Sequence, residues 1–135
     1  MAAVAFARAA SGRFSRRPWT PLDDSVSRWF VISLDVQVLL GIVIYMFFSP
    51  YTMSAWRNIG GVMGEAVGRF WVVEHLVGML AAVSFAHVGR VRIRKADPTR
   101  RHFLAAVFFG LALVIMIISI PWPFSPAARP VLRGF

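Results

Sequence analysis

Long uninterrupted apolar stretches are the dominant pattern along this chain. Three of them are long enough to cross the hydrocarbon core of a bilayer, which needs about 20 residues of helix. They run over residues 29–48, 70–89 and 103–120. The first two contain a few ionisable residues, and the third contains none. The pattern therefore predicts an all-α polytopic membrane protein, a single membrane domain with three transmembrane helices.

The connections between these stretches differ in charge. Eleven of the 15 lysines and arginines lie in residues 1–28 and 90–102, and four lie in residues 49–69 and 121–135. Basic connections favour the cytoplasmic side of a membrane. We therefore expect a cytoplasmic N-terminus and an outer C-terminus.

Each connection has its own expected form. Residues 1–28 are predicted to be a basic cytoplasmic arm, and residues 90–102 a basic cytoplasmic loop, both contacting anionic lipid headgroups. Residues 121–135 are predicted to be a proline-rich outer tail. The outer segment 49–69 is glycine-rich, which leaves two alternatives open: a flexible loop, or a short interfacial helix.

Composition excludes several classes of protein. The chain is 58% hydrophobic, which is too apolar for a soluble domain of 135 residues. Its net charge of +9 is spread over short runs between apolar stretches, so we do not expect nucleic-acid binding. The absence of cysteine excludes disulfides, iron–sulfur clusters and thiolate metal sites. We identify no catalytic centre and no metal site, and we do not expect an enzyme.

Ionisable residues at membrane depth are the best functional leads. Asp35 lies six residues into the first stretch, and His87 lies three residues before the basic connection, so their depths differ by about one turn. A pair is feasible if the two helices face each other. It would be either a proton or quinone site, or an interhelical pair that fixes packing, which we favour because no other residue completes a site. A proton-coupled transporter using this pair is less favoured, because three spans are few for such a fold.

The histidines of the second stretch are candidate cofactor ligands. His75, beside Glu74 near the outer surface, and His87 are each possible axial ligands for haem or for a chlorophyll magnesium. They cannot share one haem, because 12 residues of helix separate them by about 18 Å. A bis-histidine haem needs ligands from two different helices, and neither of the other two stretches contains a histidine. The sequence therefore identifies no cofactor, and haem b, chlorophyll and a quinone stay open as alternatives.

Small residues recur at four-residue intervals and suit close helix packing. The second stretch contains Gly78, Ala82 and Ala86, and the third contains Gly110. Three helices have few ways to cover these positions and the polar groups together. We therefore expect the chain to join a larger assembly.

Three runs of the sequence are similar to a known family. They are Asp35–Pro50, Glu74–Lys95 and the ending Pro121–Phe135, of which the ending is the most specific. Over residues 25–135 the chain resembles a family of small bacterial membrane proteins labelled cytochrome b-like. The resemblance implies a helical protein of the bacterial inner membrane and brings b-type haem into consideration.

The chain also departs from that family at two places. The relatives have a further helix ahead of the first span, with a histidine that would meet the one corresponding to His75. Here only Val4–Arg8 lies in that region, so we expect that helix to be missing. Many relatives also have histidine at the position of Asp35. Both departures remove candidate haem ligands.

These features predict a non-catalytic accessory subunit of a larger bioenergetic membrane complex, either respiratory or photosynthetic, whose role is to stabilise assembly. The expected partners are other transmembrane subunits and lipids with anionic headgroups. The alternative is an electron-transfer protein that binds b-type haem or a quinone through His75 and His87.

Overall fold

The computed structural model describes residues 1–122, 124–125 and 127, and every element in that part of the chain is helical. The predicted tail over residues 121–135 therefore lies mostly outside the described residues. The elements in chain order are α1 (Ala2–Phe14), α2 (Pro21–Phe47), α3 (Pro50–Arg57), α4 (Ile59–Gly64), α5 (Ala66–Arg69), a π-helical segment (Phe70–Glu74), α6 (His75–Lys95) and α7 (Pro98–Ile118).

Three helical runs within the described residues are long and apolar enough to cross a membrane. They are Pro21–Phe47, Ala66–Lys95 and Pro98–Ile118, which confirms the predicted all-α fold with three candidate spans. The second and third runs extend past their apolar stretches into arginine-rich sequence, because arginine and lysine are good helix formers. The predicted loop over residues 90–102 is consequently helical except for Ala96 and Asp97.

The N-terminal residues differ most from expectation. Where the sequence suggested only a basic arm, residues 2–14 form α1, which packs along α7 and the first half of α2. Ala5, Ala9 and Gly12 form its buried face. The Phe6 ring lies against Gly110 of α7, so this predicted packing glycine faces α1. The apolar pattern does not indicate this helix, because its apolar run is short and is broken by Arg8 and Arg13.

The core lies where α6 crosses α7. Ala82 and Ala86 of α6 are fully buried, as are Ala105, Phe109 and Ala112 of α7. Small side chains at these positions let the two backbones approach closely. Phe30 of α2 closes the core from the other side, with its ring edge-to-face on Phe109 at a centroid distance of 5.1 Å.

The second half of α2 stands apart from this core. The buried residues of α2 all lie between Asp23 and Leu34, and from Asp35 to Phe47 every residue, all of them described, is partly or fully exposed. At its end the Tyr45 hydroxyl donates to the carbonyl of Val72 at 2.9 Å. Below this contact, the second half of α2 and the facing part of α6 line an open cleft.

The glycine-rich segment 49–69 is helical for most of its length, in the three short pieces α3, α4 and α5. Asn58 separates the first two, and its side chain accepts a hydrogen bond from the amide of Gly61 at 2.9 Å. This N-cap offsets part of glycine's poor helix propensity. The structure therefore has helix over most of this glycine-rich segment.

Candidate functional site

Two ends of the bundle can be distinguished by charge. The end that holds the α1–α2 link and the α6–α7 turn carries most of the arginines, and is called the basic end below. The opposite end holds α3, α4 and α5, and is called the far end. The cleft between α2 and α6 lies between the two ends and contains the polar side chains singled out from the sequence.

Asp35 and His87 are brought together across this cleft. His87 Nε2 lies 2.7 Å from the Oδ1 of Asp35, as expected for a ring N–H that donates to a carboxylate. The two side chains are 38% and 53% exposed, so the pair lies on the outer surface of the three-helix bundle. It borders a shallow groove of about 690 Å³ whose other walls are mainly apolar, lined by Val38, Leu39, Val83 and Val88.

This pairing bears on the proposed cofactor role of His87. Its Nε2 is already engaged by Asp35, so a metal bound at that nitrogen would have to displace the carboxylate. The arrangement is therefore that of an interhelical hydrogen bond, with the second ring nitrogen, Nδ1, left for a group outside the pair.

His75 begins α6 directly after the π-helical segment. A π-helical turn is wider than an α-turn and is often found at functional sites. His75 Nδ1 lies 2.8 Å from the carbonyl oxygen of Ser119, the residue that follows the last turn of α7. A helix C-terminus leaves such carbonyls without intrahelical partners, so Nδ1–H caps α7. The proton is then on Nδ1, which leaves the Nε2 lone pair as an acceptor or metal ligand.

The His75 ring lies beside two aromatic rings, and one of the glycines predicted for helix packing is close to it. Its ring centroid lies 6.0 Å from that of Phe70 and 5.6 Å from that of Trp71. Gly78, one turn further along α6, lies against the Ser119 hydroxyl, where a side chain would collide. Glu74 is 51% exposed and pairs instead with Arg69, five residues earlier, at 2.8 Å.

His75 also lines a second compartment of the cleft, of about 440 Å³. Its walls are mostly aliphatic, with four polar side chains among them: Ser33, Gln37, Tyr45 and His75. An apolar pocket with a few convergent polar groups is the usual form of a small-molecule site. The sequence identifies His75 as a candidate ligand. The pocket beside it exists because α2 stands apart from α6, which the sequence does not indicate.

The most extensive charged cluster lies at the basic end and was not anticipated. The Asp23 carboxylate is 3% exposed and accepts hydrogen bonds from Arg8 at 3.0 Å and Arg17 at 2.6 Å. Asp23 also forms a capping box with Thr20 at the start of α2. The hydrogen bond to Asp23 raises the pKa of the Arg17 guanidinium, which therefore stays positively charged. The function of the cluster is to join α1 to α2.

His102 is a second buried polar residue that the sequence pattern does not indicate, because it precedes the third apolar stretch. It is 4% exposed under α1, with its ring centroid 4.9 Å from that of Trp19. Its contact with Gly12 fixes the end of α1 against α7. A buried histidine between aromatic and glycine neighbours is part of the packing here.

Metal binding has little geometric support. Within the described residues, no group of three or more histidine, cysteine, aspartate or glutamate side chains is placed to hold a metal ion. No protein-family model, no curated protein and no solved structure matches this chain.

Proposed function

We propose that this chain is a non-catalytic accessory subunit of a larger membrane complex, and that a transmembrane helix of another subunit covers the cleft between α2 and α6. The observation that carries the proposal is the outward-facing Asp35–His87 pair. A charged side chain at the centre of a span costs about 3 kcal/mol or more against lipid. Such residues therefore usually face protein or water, and in the isolated bundle this pair faces outward, toward whatever surrounds the chain.

The groove beside the pair is lined mainly by aliphatic side chains and suits a neighbouring helix. Gly41, which lines the other compartment of the cleft, has no atom within 4 Å of the position where a Cβ would be, so α2 is open to close approach there as well. Gln37, also exposed, adds a side-chain amide on the other side of the same helix. Hydrogen bonds between membrane helices contribute about 1 kcal/mol each. A partner helix carrying a polar side chain would satisfy the hydrogen-bonding groups of the Asp35–His87 pair.

The class and location of the complex are part of the same proposal. The resemblance to the cytochrome b-like family supports a respiratory or photosynthetic complex of the bacterial inner membrane. The concentration of arginines supports a cytoplasmic position for the basic end, with the lipid headgroups as further contacts. In this arrangement the chain fills a peripheral position and stabilises the neighbours that it contacts.

Replacing the pair by Asp35→Leu and His87→Leu should release the chain from its complex without unfolding it. An apolar substitute for an ion pair is often neutral or stabilising in the isolated protein, whereas the partner helix would lose its hydrogen-bonding group. Tagged chain extracted from native membranes in mild detergent should migrate in a larger complex. The double variant should migrate as a lone chain with unchanged helical content.

The matched control is Val114→Ala with Ile117→Ala on α7, where both side chains are exposed away from the cleft. This variant should remain in the complex. Migration of the unmodified chain as a lone monomer, with no partner subunit, would contradict the proposal. Equal release by both double variants would show that the pair is not the contact.

The second candidate function is electron transfer through b-type haem or a quinone, and His75 is the residue that favours it. Its Nδ1 proton is fixed by Ser119, so Nε2 keeps the lone pair that an axial ligand or a quinol acceptor requires. The adjacent 440 Å³ compartment also contains Gln37 and Tyr45 as polar groups.

An absorption spectrum of the purified chain separates the ligand role of His75 from its capping role. A haem protein would show a Soret band and a reduced-minus-oxidised difference that His75→Gln abolishes. If His75 only caps α7, there is no such band. His75→Gln, which keeps an N–H donor, should then stay near wild-type stability, and His75→Ala should lose about 1 kcal/mol.

A further inference from the structure

We propose that the basic end of the bundle holds a specific site for an anionic phospholipid, in a groove between the end of α1 and the turn from α6 to α7. The groove has a volume of about 830 Å³. It lies at the basic end of the bundle and not in the α2–α6 cleft. The site therefore does not depend on the partner subunit proposed above.

The charge of the groove is strongly positive. Four cationic side chains line it and come from three different helices: Arg13, Arg92, Lys95 and Arg100. Asp97, at the turn, is the acidic residue among the lining side chains. Four positive charges against one negative charge leave a net charge of +3. Basic pockets between membrane helices on one side of the bilayer are typical sites for phospholipid headgroups.

These cations are not used by the protein itself. Within residues 1–122, described throughout, none of the four forms an ion pair or a side-chain hydrogen bond. Other arginines at the same end do: Arg8 and Arg17 bind Asp23, and Arg90 binds Asp24 at 2.6 Å. The four groove cations therefore keep their hydrogen-bond donors for an external anion.

An apolar wall beside the cations points to a lipid rather than a soluble anion. Phe103 lies one helical turn beyond Arg100, toward the apolar part of α7, and is 51% exposed. Along the axis of α7, the backbone of Phe103 lies about 4.5 Å from that of Arg100. Phosphate groups at the cations would thus place an acyl chain along the Phe103 ring. A net charge of +3 favours a headgroup with two phosphates over one.

Native mass spectrometry of the full chain in an uncharged detergent would measure this binding directly. Cardiolipin, which carries two phosphates and acyl chains, should bind more tightly than phosphatidylglycerol, and phosphatidylcholine more weakly than both. Inorganic pyrophosphate tests whether the phosphates alone suffice, and should bind more weakly than cardiolipin. The variant Arg92→Gln, Lys95→Gln, Arg100→Gln should weaken cardiolipin binding at least about ten-fold.

The control removes three other exposed arginines of the basic end, outside the groove: Arg16→Gln, Arg28→Gln and Arg94→Gln. Both variants lower the net charge of the chain by three, so a non-specific attraction between the chain and anionic lipid would weaken equally in both. If binding is specific to the groove, the cardiolipin affinity of the control should stay within about two-fold of wild type. Equal weakening by both variants would overturn the specific site. Pyrophosphate binding as tight as that of cardiolipin would overturn the lipid assignment, and equal affinity for phosphatidylglycerol would overturn the two-phosphate headgroup.

Discussion

Asp23→Ala is expected to lower the stability of the isolated chain by about 3 kcal/mol. The substitution removes the buried carboxylate that accepts hydrogen bonds from Arg8 and Arg17, and leaves the two guanidinium groups beside each other without a counter-ion. It also removes the capping box with Thr20 at the start of α2. Unfolding in detergent, followed by circular dichroism, measures the change.

The neighbouring Asp24→Ala provides the control, because Asp24 also pairs with an arginine, Arg90, but is 43% exposed. Arg90 is 16% exposed, so the pair is partly buried, and this variant should cost about 1 kcal/mol, less than Asp23→Ala. Asp23→Leu combined with Arg8→Met and Arg17→Met should recover part of the loss, since no unpaired charge remains. Similar effects of Asp23→Ala and Asp24→Ala would contradict the structural role assigned to the Asp23 cluster.

Gly89→Leu should cost about 2–3 kcal/mol of stability by separating α6 from α7. A Cβ at this position would lie 2.5 Å from the Cβ of Phe108 and 3.5 Å from the ring of Phe109. The Cβ of Phe108 is fixed to its backbone, so the strain moves the helix rather than a flexible side-chain end. The same unfolding measurement detects the loss.

Gly41→Leu is the matched control, because Gly41 also lies within a helix but has nothing within 4 Å of its would-be Cβ. Leucine has a higher helix propensity than glycine, so this variant should gain up to about 1 kcal/mol. A loss at Gly41 as large as that at Gly89 would show that the glycine effect is not set by contact with α7.

The sequence pattern correctly predicts those features of the fold that depend only on distance along a single helix. Apolar length located the three candidate spans, and the helical rise placed Asp35 and His87 at similar depths. The structure joins these two side chains at 2.7 Å. Rise and length do not specify the direction in which a side chain points relative to a neighbouring helix, so the exposure of the pair to the outside was not foreseen.

Features that depend on tertiary contact were also beyond the sequence. Asp23 precedes the first apolar stretch and gives no pattern that distinguishes it from Asp24, yet one is buried and the other exposed. The burial of His102 requires α1 to cover it, and α1 itself is too short to be recognised by its period. The basic residues near the turn from α6 to α7 were expected in a loop, whereas helical geometry gathers them into a groove.

Covalent capture in native membranes tests most directly whether another subunit covers the α2–α6 cleft. A photo-crosslinking amino acid at Leu39, which lines the groove beside Asp35, should give one discrete product with another membrane protein. The same amino acid at Val114, exposed on α7, should not give that product. Capture of lipid alone at Leu39, or an equal pattern at both positions, would contradict a partner helix in the cleft and with it the proposed subunit function.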